Sequence, residues 1–104
     1  MSKPGVLESM SYYILLALAE GRMHGLDIQS QVLGDSVGAA YLRTSTLYAA
    51  LKRLDKSALI RVVNADNYHT SYELTESGKR RLEAEARAYE RTAQLARKRL
   101  GWRP

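Results

Sequence analysis

The chain has 104 residues, no cysteine and a formal net charge of +5. That length suits one domain with a modest core. The lack of cysteine excludes disulfides, thiolate metal sites and a thiol nucleophile.

The longest apolar run, Tyr12 to Ala19, is far too short for a membrane span. Glu8 and Ser9 interrupt the N-terminal segment where a signal peptide would lie. A soluble, cytoplasmic protein with no membrane partner is expected. Charge is unevenly spread. Residues 79–103 carry nine cations against Glu83, Glu85 and Glu90, and residues 43–61 carry Arg43, Lys52, Arg53, Lys56 and Arg61 against Asp55 alone. Two such basic stretches suit a polyanionic partner.

Residues 1–5 contain Pro4 and Gly5 and read as an arm. A first helix is expected from Glu8 to Ala19, with Leu7, Met10, Ile14 and Leu18 on one face and Leu15 widening it. Gly21 is placed to cap it. A second helix is expected from His24 to Leu33, with Leu26, Ile28, Val32 and Leu33 as its apolar positions and Gly34 ending it. Asp27 in its first turn suits the positive end of the helix dipole. Tyr41-Leu42-Arg43 reads as a very short strand.

The stretch Thr44–Lys56 is a third helix of about three turns. Leu47, Leu51, Leu54 and Ala58 recur on one face, while Ser45, Ala49, Lys52 and Lys56 fall on the other with Arg53 at its edge. Thr44 and Ser45 are both good N-cap residues. Leu59–Val63 is β-branched and apolar, Asn64–Asn67 is rich in turn formers, and Tyr68–Leu74 alternates. Together they predict a β-hairpin.

Three short helices and a hairpin are the order of a winged helix-turn-helix, whose third helix enters the major groove of double-stranded DNA. The expected fold is therefore mainly α with a small β-hairpin. Residues 1–74 form the winged-helix DNA-binding part, continuous with a C-terminal helix over residues 75–104. That helix opens at Thr75 and places Leu82, Ala86, Tyr89, Ala93, Ala96 and Leu100 at spacings of an a/d seam. It should run about 25 residues, roughly 37 Å. Such a helix wants a partner, and a second copy forming a homodimer supplies one.

Several segments together resemble the PadR family of bacterial transcriptional regulators. One is Ile14–Ile28, an apolar helix, a glycine turn and His24-Gly25-Leu26-Asp27-Ile28. The second is Thr46-Leu47-Tyr48-Ala49-Ala50-Leu51-Lys52-Arg53-Leu54. The third is Tyr72-Glu73-Leu74-Thr75-Glu76-Ser77-Gly78. This sequence has Leu26 where the family has an aromatic residue, Ala49 where proline is frequent, and Ala58 where glycine usually stands. It also lacks Lys and Arg over Asn64–Ser71, the wing, so the helix cations must carry most of the local phosphate contact unless Lys3 in the arm or the basic C-terminal helix helps. The resemblance implies a homodimeric repressor joined through its C-terminal helix, of the short subgroup with one such helix. Some members of the family release DNA on binding aromatic or multidrug-like ligands near the dimer interface, which makes a small aromatic ligand a candidate partner.

Within that frame, Lys52, Arg53 and Lys56 are assigned to phosphates. Thr44, Ser45, Thr46, Tyr48 and Ala49 are assigned to the helix's DNA-facing N-terminal end, with Ala49 suited to a thymine methyl. Thr44 and Ser45 alternatively serve a phosphate at the helix N-terminus, and Tyr48 alternatively packs under the wing. A dimer presenting two such helices would read a pseudo-palindromic operator. Tyr12, Tyr13, Tyr89 and Trp102 are the aromatic residues available to wall a flat ligand. His24 and His69 are 45 residues apart without a second ligand pair, so no metal site and no cofactor are expected. No nucleophile–base–acid cluster suggests an enzyme. The rival readings are a winged-helix protein-interaction module without DNA binding, and a primary ligand sensor.

Overall fold

The computed structural model of the protein describes residues 9–64 and 70–102. Helix α1 (Ser9–Leu18) is central. Ile14, Leu15, Ala17 and Leu18 are buried on one side, and Tyr12, Tyr13 and Leu16 are half-buried on the other. A helix apolar nearly all round belongs between other elements, and α1 packs on every helix introduced below and on the sheet. Leu7 and Glu8, expected to join it, lie outside the described residues.

Strand β1 (Met23–His24) and helix α2 (Gly25–Asp35) follow directly. The strand corrects the expected helix start at His24: that residue has extended backbone and is the N-cap. Its ring nitrogen lies 3.1 Å from the Ser71 hydroxyl. A two-residue strand has no periodicity to betray it, because the pairing partner lies nearly fifty residues away. Helix α2 also runs through Gly34, which was expected to end it. The chain turns instead at Ser36, whose hydroxyl accepts from the Ala40 amide at 2.8 Å and donates to the Leu33 carbonyl at 3.2 Å. Of the expected apolar positions, Ile28 and Val32 are buried, but Leu26 and Leu33 are exposed. Gly25, at the start of the helix, is buried instead.

Residues 41–43 form no strand. Leu42 is buried, and its carbonyl accepts from the Gln29 side-chain amide, which ties this segment to α2. Helix α3 (Thr44–Lys56) buries Leu47, Ala50, Leu51 and Leu54. Ala58, expected on that face, lies past the helix end and is exposed. Its φ is 61°, a left-handed turn that reverses the chain into the sheet. Alanine is strained there and glycine is not, so Ala58→Gly should raise stability by about 0.5–1 kcal/mol in chemical denaturation.

Strands β2 (Ile60–Asn64) and β3 (Ser71–Leu74) form the hairpin. The sheet is antiparallel with β3 in the middle, in the order β1-β3-β2. Val62 and Met23 flank Tyr72 across β3. The ladder is irregular between Val62 and Asn64. The expected wing turn, with His69, lies outside the described residues.

Helix α4 (Glu76–Leu100) opens as the sequence predicts. The Thr75 hydroxyl accepts from the Gly78 amide at 3.0 Å and donates to the Ala58 carbonyl at 2.6 Å. One residue thus caps α4 and pins it to the turn after α3. Helix α4 packs on α1 and β3, with Leu82 against the core. The chain's longest dimension, 53 Å against 28 and 27 Å, shows how much of α4 projects beyond the core.

Candidate nucleic-acid interface

Burial divides α3 cleanly. Its leucines and Ala50 face α1, α2 and β2, while Thr44, Ser45, Thr46, Tyr48, Ala49, Lys52, Arg53 and Lys56 are all exposed. The eight residues assigned from the sequence therefore share one surface. The expected capping by Thr44 or Ser45 does not occur. Arg43 is the N-cap, with no side-chain capping bond, and its carbonyl accepts the first helical bond, from Leu47 at 2.8 Å. Thr44 is the first helical residue, so both hydroxyls stand on the exposed end. Arg53 and Lys56 occupy the last turn, where the helix dipole also favours cations.

Tyr48 is 42 % exposed. It leans on the start of α2: a Cβ at Gly25 would stand 2.4 Å from the Tyr48 hydroxyl oxygen. Gly25 is thus a positioning residue for this surface, and it lay unrecognised in the His24-Gly25 pair. Tyr72 is nearby. Burial raises its hydroxyl pKa above the ordinary value, with Tyr48 and Asp55 adding to the shift. Tyr41 and Arg43 are also exposed at the entry to α3 and were not among the assigned site residues.

Of the residues suggested for a ligand, three meet and one does not. Tyr12 stacks edge-on against Tyr89 at 4.8 Å and Tyr13 at 6.0 Å. Trp102 lies past the far end of α4, with the Arg97 guanidinium 5.8 Å from its ring centre. Beside the tyrosines runs a groove of about 670 Å³ between α1, β2, β3 and α4, floored by Leu16, Leu74, Leu82 and Ala86. At its rim Glu73 takes Arg61 at 2.7 Å and Arg22 at 3.6 Å. The hydrogen bond from Arg61 is the main reason its carboxyl pKa lies below the ordinary value. Among the described residues, no group of three or more His, Asp or Glu is placed to hold a metal ion, and no helix is long and apolar enough to cross a membrane.

Helices α2 and α3, followed by a hairpin whose strand β2 packs against α3, make this a winged-helix protein. The transcriptional regulator PadR-like family model matches residues 14–84, and the chain belongs to that family. Its members are regulators of transcription, not enzymes. The fold is shared with a PadR family transcription regulator from Clostridium difficile, at a TM-score of 0.76 and 23% identity over 89% of this chain and 99% of that one. A transcriptional regulator from Clostridium thermocellum matches with a TM-score of 0.73, 23% identity and coverage of 89% and 97%. PadR from Bacillus subtilis, solved in complex with operator DNA, is 26% identical with a TM-score of 0.65, over 76% of this chain and 47% of that chain. None of the curated proteins matches the chain.

Proposed function

We propose that the protein binds operator DNA as a homodimer and represses transcription, with α3 in the major groove. The observation that carries this reading is the exposed face of α3. It has hydroxyls and Tyr48 toward its start, cations toward its end, and no task in the core. Lys52, Arg53 and Lys56 hold phosphates and set the register. Ser45, Thr46, Tyr48 and Ala49 meet base edges. The Bacillus subtilis PadR complex with operator DNA supports the assignment. Fluorescence anisotropy with DNA from upstream of the protein's own gene tests it across a salt series. Tight binding to that DNA, with steep salt dependence and weaker binding to scrambled sequence, is expected. Equal affinity for both DNAs would refute specific recognition.

The dimer is assigned to the seam of α4. Leu82 and Ala86 lie near the core, Tyr89 is exposed but still meets Tyr12 of α1, and Ala93, Ala96 and the exposed Leu100 continue the seam beyond it. Either Tyr89→Asp or Ala93→Glu should convert the protein to monomers in sedimentation velocity. A dimer that survives both substitutions would place the interface elsewhere. The tyrosine cluster and its groove favour a second role, reception of a small aromatic ligand that releases DNA. A flat aromatic compound that lowers DNA affinity for the wild type, but not for Tyr12→Ala, would identify it.

A further inference from the structure

The outer face of α4, opposite its seam, carries a row of cations that neither the core nor α3 uses. Arg80, Arg87, Arg91 and Lys98 are separated by seven, four and seven residues. At about 100° per residue they fall within about 40° of one line, and they span about 27 Å. All four are exposed. Arg87 pairs with Glu83 at 2.8 Å, and Arg80 donates to the Ser77 hydroxyl at 3.4 Å. Among the described residues, Arg80, Arg91 and Lys98 have no carboxylate partner. Ala84 and Leu95 lie on one flank of the row and Glu76, Glu83 and Glu90 line the other, Glu83 no farther from it than Leu95.

Folding does not call for this row. Like charges one and two turns apart on a helix repel, and Arg87 and Arg91 are such a pair. A straight line of cations about 27 Å long exceeds what a small anion can neutralise. It matches a linear polyanion, and duplex DNA carries one charge per ~1.7 Å of its axis. A membrane surface fits less well, because a helix lying on lipid must bury its apolar face in the bilayer. Here the apolar seam is already taken up where it begins, with Leu82 against the protein's own core.

Helix α1 packs on both α3 and α4, while α3 and α4 make little contact with each other. Each helix exposes the face opposite its contact with α1, so the cationic row is separate from the face of α3 assigned to the operator.

We propose that the outer face of α4 is a second, sequence-independent DNA-backbone site through which the protein holds another duplex. It goes beyond operator recognition and needs no base contact. The test uses the full chain, a biotinylated 30-bp duplex on streptavidin and a fluorescent duplex of unrelated sequence in solution. The wild type should capture the fluorescent duplex. The variant R80Q/R87Q/R91Q/K98Q should lose at least about 90% of that capture while still binding the immobilised duplex. Its log–log salt slope for non-specific DNA should fall by about 3–4 per protomer, at about 0.9 per phosphate contact. Glutamine preserves helix propensity, and circular dichroism checks the fold. If the quadruple variant does not fold, R91Q/K98Q alone should lower capture by at least half. A wild type that captures no second duplex overturns the proposal, as does a folded variant that captures as well as wild type.

Discussion

Replacing Lys52, Arg53 and Lys56 together by glutamine should weaken DNA binding about 10²-fold per protomer at 0.1 M salt, for every sequence tested, and flatten the log–log salt slope by about 2.7. The reasoning is electrostatic. Each cation on a phosphate releases condensed counterions, and three lost contacts remove about 0.9 from the slope apiece. All three residues are exposed, and the core leucines of α3 lie on the other face, so the fold should persist. Substitution at the other end of the helix should act differently. Ser45→Ala or Thr46→Ala should cost about 1–3 kcal/mol against the preferred base and little elsewhere, because a lost base contact carries sequence information and a lost phosphate contact does not. Anisotropy on matched and mismatched duplexes separates the two behaviours. If the triple variant keeps full affinity, α3 is not the DNA-binding element.

The second large effect is structural. Gly78→Ala should destabilise the protein by about 3 kcal/mol, because the added methyl has nowhere to go. A Cβ at position 78 would stand 2.0 Å from the Leu59 carbonyl oxygen and 3.1 Å from Leu74 Cδ2. The nearer contact is backbone, not the end of a flexible side chain. It is also held in place: the Leu59 carbonyl accepts from the Thr75 amide at 3.2 Å. The methyl must therefore push the first turn of α4 off the α3–β2 turn. For a chain of this size that corresponds to a fall in Tm of about 12–24 °C, measured by thermal unfolding. Because the same joint sets the direction in which α4 leaves the domain, the variant should also weaken the proposed dimer at equal protein concentration. An unchanged Tm would mean that the turn after α3 yields at little cost.

The joint illustrates which signals a sequence carries and which it does not. The Thr75 cap and the a/d spacing of α4 were legible, because capping and helical periodicity are local. The closeness of Gly78 to Leu59 was not, since nothing in the spacing of two residues nineteen apart announces a contact. That Ala58 stands where the backbone favours glycine is visible only from its positive φ. Strand β1 was missed because two residues cannot show alternation, and the paired edge of β3 alone defines it. Leu26 and Leu33 read as core from composition, yet α2 docks through Gly25, Ile28 and Val32 and leaves both leucines in solvent.

The candidate interface divides in the same way. The amphipathic division of α3 follows from a 3.6-residue period applied to thirteen residues, which is enough to set Ser45, Ala49, Lys52, Arg53 and Lys56 on the exposed side. The position of Tyr48 was not, because it depends on the missing side chain of Gly25 on another helix. Nor was the separation of Trp102 from the tyrosines, which follows from a helix carrying the chain away from α1. By itself the sequence determined the helices, the hairpin, the greasy and cationic faces of α3 and the seam of α4, since each arises from patterning within one segment. Only the tertiary structure decided the third strand, the docking face of α2 and the joint at Gly78. Each of those depends on which residues distant in sequence come within van der Waals or hydrogen-bonding reach.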